Sequence, residues 1–236
     1  MSQLNAQQQQ AVRHTQGPLL VLAGAGSGKT SVITQKIAWL ISNEGFEPTS
    51  ICAVTFTNKA AREMRERVRK LLGKEAGDGL HISTFHSLGL RIIREETEAL
   101  GYKRNFSILD SDDCANIVRD ILRTDTSGDK TLPDKVRWQI SSWKNDLVMP
   151  GHAINECGND PVKQLAARVY PDYQQHLQAF NALDFDDLIL LPVTLFNEHP
   201  ECLQKWRKRI KYLLVDEYQD TCLLYTSDAA DDRYKV

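Results

Sequence analysis

The chain has 236 residues, enough to bury a core as one large domain or two modest ones. Apolar residues make up 42% and charged residues 25%, which excludes a disordered, collagen-like or disulfide-stapled chain. With Lys+Arg 29 against Asp+Glu 31 the formal net charge is -2, so a bulk basic field is absent and any nucleic-acid surface must be local.

Residues 1–10 are polar and Gln-rich, without the basic start and apolar stretch of a secretory signal. Residues 18–23, a short apolar run bounded by Pro and Gly, read as a buried strand of a parallel sheet. Residues 24–28 form a Gly-rich turn. Residues 27–43 then show helical spacing, with Val32, Ile33, Ile37, Leu40 and Ile41 on one face. Residues 51–56 predict a second strand, and Thr57 can cap a helix over 58–72. Residues 82–85 predict a third strand, and residues 212–215 a fourth that ends at Asp216. Strands alternating with helices indicate an α/β domain with a parallel sheet flanked by helices.

The middle differs. From 88 to 183 the pattern is mostly helical, over 88–100, 112–123, 134–148 and 162–180, and only 106–109 looks strand-like. This predicts a helical domain, 88–183, inserted into an α/β domain made of 1–87 and 184–221. The longest apolar run, 188–196, is short and holds Pro192 and Thr194, so no membrane span is expected. Cys52, Cys114, Cys157, Cys202 and Cys222 are scattered and never spaced CxxC. That argues against a disulfide framework or zinc site and fits a cytoplasmic protein. Residues 222–236 show neither period nor cap, and they resemble the translation of a transposon-end sequencing adapter. They are read as a non-native tail, the alternative being a divergent native one.

Ala23, Gly24, Ala25, Gly26, Ser27, Gly28, Lys29 and Thr30 carry the strongest local chemistry. A phosphate chain needs backbone N–H groups turned inward, which glycine permits. The helix that follows offers its positive end to the anion. Lys29 can reach β- and γ-phosphates, and Thr30 can place a hydroxyl on Mg²⁺. Residues 213–215 form an apolar run leading to Asp216 and Glu217, where α/β ligands bind. Asp216 would hold Mg²⁺ through oxygen, and Glu217 would polarise an attacking water.

Six segments occur in order. They are 4–12 with Gln8, the loop 23–30, 54–61 around Phe56, 82–87 around Phe85, the Leu-Asp-Phe-Asp-Asp-Leu of 183–188, and the Asp-Glu-Tyr-Gln-Asp-Thr of 216–221. Over residues 4–221 the chain resembles the N-terminal part of a UvrD/Rep-type superfamily 1 DNA helicase. The Trp-Lys-Asn-Asp of 143–146 and the stretch 183–191 are most similar to its Rep branch.

The resemblance implies a P-loop, RecA-like motor lobe using ATP and Mg²⁺ in a 3′→5′ helicase acting on single-stranded DNA and single/double-strand junctions. It implies replication restart for a Rep-like parent and repair for a UvrD-like one. It makes Gln8 the adenine reader. Phe56, Thr57, Asn58 and Lys59 become one DNA-contacting motif, and Thr84, Phe85 and His86 a second. Gln219 and Asp220 become residues that couple the nucleotide site to DNA.

Charge is also local. Residues 59–74 hold Lys59, Arg62, Arg65, Arg67, Arg69, Lys70 and Lys74 against Glu63 and Glu66, and 205–211 hold five basic residues and no acid. Either run could track phosphates or simply solvate a helix face.

The chain departs from the family where Ser31 replaces an arginine common after the P-loop Thr. Beyond Thr221, no third motif, second motor domain or arginine finger is recognisable. Two readings follow: the motor lobe of a helicase, or a nucleotide- and DNA-binding module with little turnover. In both, the chain alone is expected to bind ATP–Mg²⁺ weakly and hydrolyse it poorly.

Overall fold

The structure is a computed structural model that describes residues 4–24, 26–73, 77–124 and 129–220. Its elements in chain order begin with α1 (Ala6–Arg13), α2 (Lys29–Ser42), β1 (Ile51–Thr55), α3 (Asn58–Leu72), β2 (His81–Thr84) and α4 (Phe85–Glu95). There follow β3 (Ser107–Ile108), α5 (Ser111–Ile121), α6 (Leu132–Asn145), α7 (Ala153–Glu156) and α8 (Pro161–Ala179). The last are β4 (Ala182–Leu183), α9 (Asp187–Glu198), α10 (Pro200–Arg209) and β5 (Tyr212–Val215). Among these residues no helix is long and apolar enough to cross a membrane.

The described residues fall into two compact units, 4–88 with 203–220, and 89–202. The first is α/β. Its parallel sheet has the order β2-β1-β5, with Thr55 opposite Thr84 and Val54 opposite Val215. Every residue of β1 is buried, as expected for a central parallel strand covered on both faces. Ile37 and Leu40 of α2 and Ala61, Met64 and Val68 of α3 pack with Ile51, Ala53, Ile82 and Leu214 of the sheet. The α3 boundaries match the sequence expectation, because Thr57 accepts from the Ala60 amide at 3.1 Å and closes the helix start.

One strand expectation fails, and the strand expected over 82–85 forms as β2 one residue earlier. Residues 18–23 form no strand, and Leu20, Val21 and Leu22 are 45%, 41% and 75% exposed. A strand needs a neighbour to take its backbone groups, and no described strand lies beside this run. At the end of β2, Phe85 begins α4. The Thr84 hydroxyl accepts from the Ser87 amide at 3.2 Å, so helix capping wins over strand extension.

The second unit is mostly helical. Trp143 and Tyr170 stack in its core, with ring centroids 6.3 Å apart, among Val118, Val136, Ile140 and Leu177. The strand-like reading of 106–109 shrinks to β3, which pairs parallel with β4. Gly89 of α4 lies so close to α9 that a Cβ there would stand 1.8 Å from the Leu188 carbonyl oxygen. Cys52, Cys114, Cys157 and Cys202 are buried thiols. Ala25, Lys74 and the tail from 222 onward lie outside the described residues.

Candidate functional site

All three strands of the first unit are parallel, so their C-terminal ends open on one edge. Phe56 leaves β1 there, Phe85 leaves β2 and Asp216 leaves β5. The Asp216 amide still donates to the Val54 carbonyl at 2.9 Å, which anchors the departing chain to the sheet.

The glycine loop enters the same edge from α2. Gly28 is the N-cap of that helix in the left-handed region at φ 86, and Gly26 is left-handed at φ 75. A side chain at Gly28 would be strained by that φ, and its Cβ would meet the Gln8 amide nitrogen at 3.2 Å. The Lys29 ammonium curls over its own loop, donating to the Ala23 and Gly24 carbonyls at 3.0 and 3.2 Å. The carbonyls occupy the cation where an anionic ligand would otherwise engage it.

Gln8 was expected from a sequence that read only as a polar N-terminus, yet α1 holds it in place. A capping box of Asn5 and Gln8 forms the helix start. The Gln8 side-chain oxygen accepts from the Asn5 amide at 2.9 Å, and its nitrogen donates to the Ser27 carbonyl at 2.9 Å. One N–H and one oxygen lone pair of that amide remain available. The Asn-x-x-Gln spacing was the signal that could have revealed α1.

Thr30 and Asp216 meet across 186 residues, the Thr30 hydroxyl donating to an Asp216 carboxylate oxygen at 3.4 Å. Asp216 is 5% exposed, and burial raises its carboxyl above the usual range. The Glu217 charge adds to that rise, while the Glu217 amide, Thr30 and Lys29 oppose it. Two hard oxygens on a part-buried acid suit Mg²⁺, which tolerates few protein ligands when phosphates and water supply the rest. Among the described residues no group of three or more His, Cys, Asp or Glu could hold a metal alone, so an ion here needs such outside ligands.

Glu217 sits at φ 54, in the left-handed region that a glutamate adopts only under constraint. Its carboxylate accepts from the Gln219 side chain at 2.5 Å. The Asp220 side chain lies outside the described residues. Glu217 and Gln219 line a cleft of about 720 Å³ together with Gly26, Ser27, Lys29 and Thr30. Arg67 of α3 lines it too. Sequence reasoning placed Arg67 only in a basic run, because spacing along α3 does not say which neighbour an off-core position faces.

A second concavity, of about 480 Å³, lies between α3 and β2 and is lined by Asn58, Arg62, Arg65, His81 and Ser83, among others. The Arg65 guanidinium donates to the Ile82 carbonyl at 2.6 Å, so part of its capacity is structural. Phe56 is 59% exposed at the mouth of β1, and Thr57, Asn58 and Lys59 are exposed beside it. Thr84 is buried with its hydroxyl committed to Ser87, while Phe85 and His86 are half-buried in the first turn of α4.

Residues 4–225 match the model of the UvrD/REP helicase N-terminal domain. The chain is 51% identical over 218 residues to the ATP-dependent DNA helicase Rep of Escherichia coli strain K12, covering 92% of this chain and 32% of that protein. It is 44% identical over 222 residues to the ATP-dependent DNA helicase PcrA of Staphylococcus aureus strain Mu50, covering 94% of this chain and 30% of that protein. The chain thus spans about a third of the length of these relatives.

Proposed function

Because the chain belongs to the UvrD/REP helicase N-terminal domain family, we propose that it is the first, RecA-like motor lobe of an ATP-dependent 3′→5′ DNA helicase. Residues 1–87 and 184–221 are our assignment of the lobe and 88–183 of the domain inserted in it, with 184–202 lying in the second compact unit. The observation that carries the reading is the Thr30–Asp216 contact, which joins the phosphate loop to the Asp-Glu strand end in one cleft. The polarity and the single/double-strand junction as substrate rest on the family resemblance.

In this reading the loop amides from 23 to 30 and the α2 N-terminus bind the phosphate chain. Lys29 leaves its own carbonyls to meet the β- and γ-phosphates. Thr30 and Asp216 hold Mg²⁺, which offsets phosphate charge when bound. Glu217, released from Gln219, accepts the proton of the attacking water. Gln8 spends its spare N–H and lone pair on the adenine edge, already aligned by Asn5 and Ser27. Phe56 offers a face to a base, and Thr57, Asn58, Lys59, Phe85 and His86 hold the strand without reading sequence. Thr84 acts through the α4 cap. Gln219 and Asp220 transmit the state of the cleft.

Residues 1–236 taken by themselves hydrolyse ATP slowly in this account, because a motor of this type closes two lobes around the nucleotide and the reading assigns these residues to one of them. Nucleotide titration of the chain and its Lys29→Ala variant tests the site. ATP–Mg²⁺ binding that Lys29→Ala abolishes supports it, and equal binding by both removes the P-loop assignment. Hydrolysis of ATP by the chain at helicase-like rates on adding single-stranded DNA would leave the lobe assignment intact and refute the slow turnover.

A further inference from the structure

Lys36 lies two turns into α2 and is 5% exposed. Its ammonium donates to the Ala11 carbonyl at 3.0 Å and to the His14 carbonyl at 2.5 Å. These carbonyls belong to the last turn and C-cap of α1, the electron-rich end of that helix. The ammonium stands 5.5 Å from the centre of the Tyr212 ring, and the Tyr212 hydroxyl donates to the same His14 carbonyl at 3.2 Å. No carboxylate pairs with Lys36 among the described residues. Burial without an acid is costly for a cation and pulls the Lys36 pKa down to about 8. The carbonyls and the ring offset that cost.

The consequence lies at the other ends of the two helices. The first turn of α1 presents Gln8, whose amide reaches the loop at Ser27. The first turn of α2 presents Lys29 and Thr30. One buried side chain therefore ties the helix bearing the base-facing amide to the helix bearing the phosphate-facing cation. We propose that Lys36 is a positioning residue for nucleobase recognition, pinning α1 to α2 so that the Gln8 amide stands at a fixed distance from Lys29. This rests on the nucleotide-site reading above. The substrate property it governs is the choice of adenine over guanine. Both bases offer an N7 acceptor, but adenine presents an N6 amino donor where guanine presents an O6 acceptor. An amide held in place accepts from the first and opposes the second. A loose amide rotates and reads neither.

The experiment is equilibrium titration of the whole chain with ATP, GTP and inorganic tripolyphosphate. It compares wild type with Lys36→Met, Lys36→Arg, Tyr212→Phe and Gln8→Ala, each checked for folding by a thermal melt. Lys36→Met lowers the GTP-to-ATP Kd ratio by about tenfold, the loss expected for one well-placed hydrogen-bonding group, and leaves tripolyphosphate binding within about twofold. Lys36→Arg, charged at every working pH, keeps the ratio. Tyr212→Phe, which deletes only the hydroxyl on His14, lowers it partway and serves if Lys36→Met does not fold. Equal weakening of all three ligands, or an unchanged ratio in both Lys36→Met and Tyr212→Phe, overturns the proposal. If Gln8→Ala collapses the ratio while the Lys36 and Tyr212 variants do not, the Gln8 reading stands and only this inference falls. If wild type does not prefer ATP and Gln8→Ala is silent, the reading of Gln8 fails and this inference with it.

Discussion

The hydroxyl of Thr30, at the start of one helix, points at the carboxylate of Asp216, at the end of a strand 186 residues away. Burial already holds the Asp216 carboxyl partly against ionisation, so a divalent cation placed between these oxygens relieves the site rather than crowding it. Asp216→Asn keeps the shape and removes the charge. ATP binding in EDTA should be unchanged by it. The gain in affinity on adding Mg²⁺ should fall by about tenfold or more, the worth of a charged oxygen contact. Calorimetric titration with and without Mg²⁺ checks this, and a full Mg²⁺ gain in the variant would remove Asp216 from the metal site.

Arg67 separates two uses of the basic helix α3. It lines the cleft of Gly26, Lys29 and Glu217, whereas Arg62 and Arg65 line the concavity beside β2. Arg67→Ala should weaken ATP and ADP by about tenfold and leave single-strand DNA affinity near wild type, since a phosphate-directed charge acts over a few ångströms. Arg62→Ala should do the reverse and reduce the salt slope of DNA binding by roughly one unit. The same pattern in both variants would make α3 one undivided surface.

Lys144 is the cation of a buried network in the second unit. It donates to Asp184 at 2.7 Å and Asp187 at 2.8 Å, and the Tyr173 hydroxyl donates to Asp184 at 2.9 Å. Burial pulls Lys144 down, but the two carboxylates together raise it above the usual lysine range, so its stabilisation is present at every pH below that range. Burial pushes the Asp187 carboxyl up to about 6 even with Lys144 holding it down. The folded state therefore keeps a proton that the unfolded chain has released, and the Asp187 contribution falls as pH rises from about 4 to about 6. Lys144→Met leaves only that second effect, with no cation to oppose it. The variant should lose about 3–5 kcal/mol at pH 7.5, with a smaller deficit near pH 5. Urea melts at the two pH values check it, and a deficit independent of pH would show that packing, not charge, holds this cluster.

Phe56 is exposed, so replacing it tests binding with little confusion from folding. Phe56→Ala should shift the melting temperature by about a degree or less. It should weaken single-strand binding by about 1–3 kcal/mol with little dependence on sequence, since every base has a face to stack. Fluorescence anisotropy with two oligonucleotides of different composition measures both points. Unchanged affinity for both would take Phe56 out of the DNA path.

The parts that were legible in the sequence are governed by local rules. Gly26 and Gly28 occupy left-handed backbone where the loop turns, and Thr57 starts α3. Others were hidden. The start of α1 passed for a polar terminus, though Asn5 and Gln8 stood at capping-box spacing. The stretch 187–198 is helix α9 despite Pro192, because packing of its buried face outweighs the missing amide.

Residue type and short spacing were enough for the phosphate loop, the Asp-Glu strand end and the helix caps, because each depends on backbone angles and groups within a few positions. Tertiary structure alone decided which of these meet. It set Thr30 against Asp216, turned Arg67 toward the cleft of Lys29 and Glu217 and aimed Lys36 at the end of α1. It also left residues 20–22 exposed, where their apolar run had suggested a buried strand. A helix closes its own hydrogen bonds, so α2 and α3 could be read from spacing and capping residues alone. A strand or a site is completed by atoms from elsewhere in the chain, and only the folded arrangement says whether they arrive.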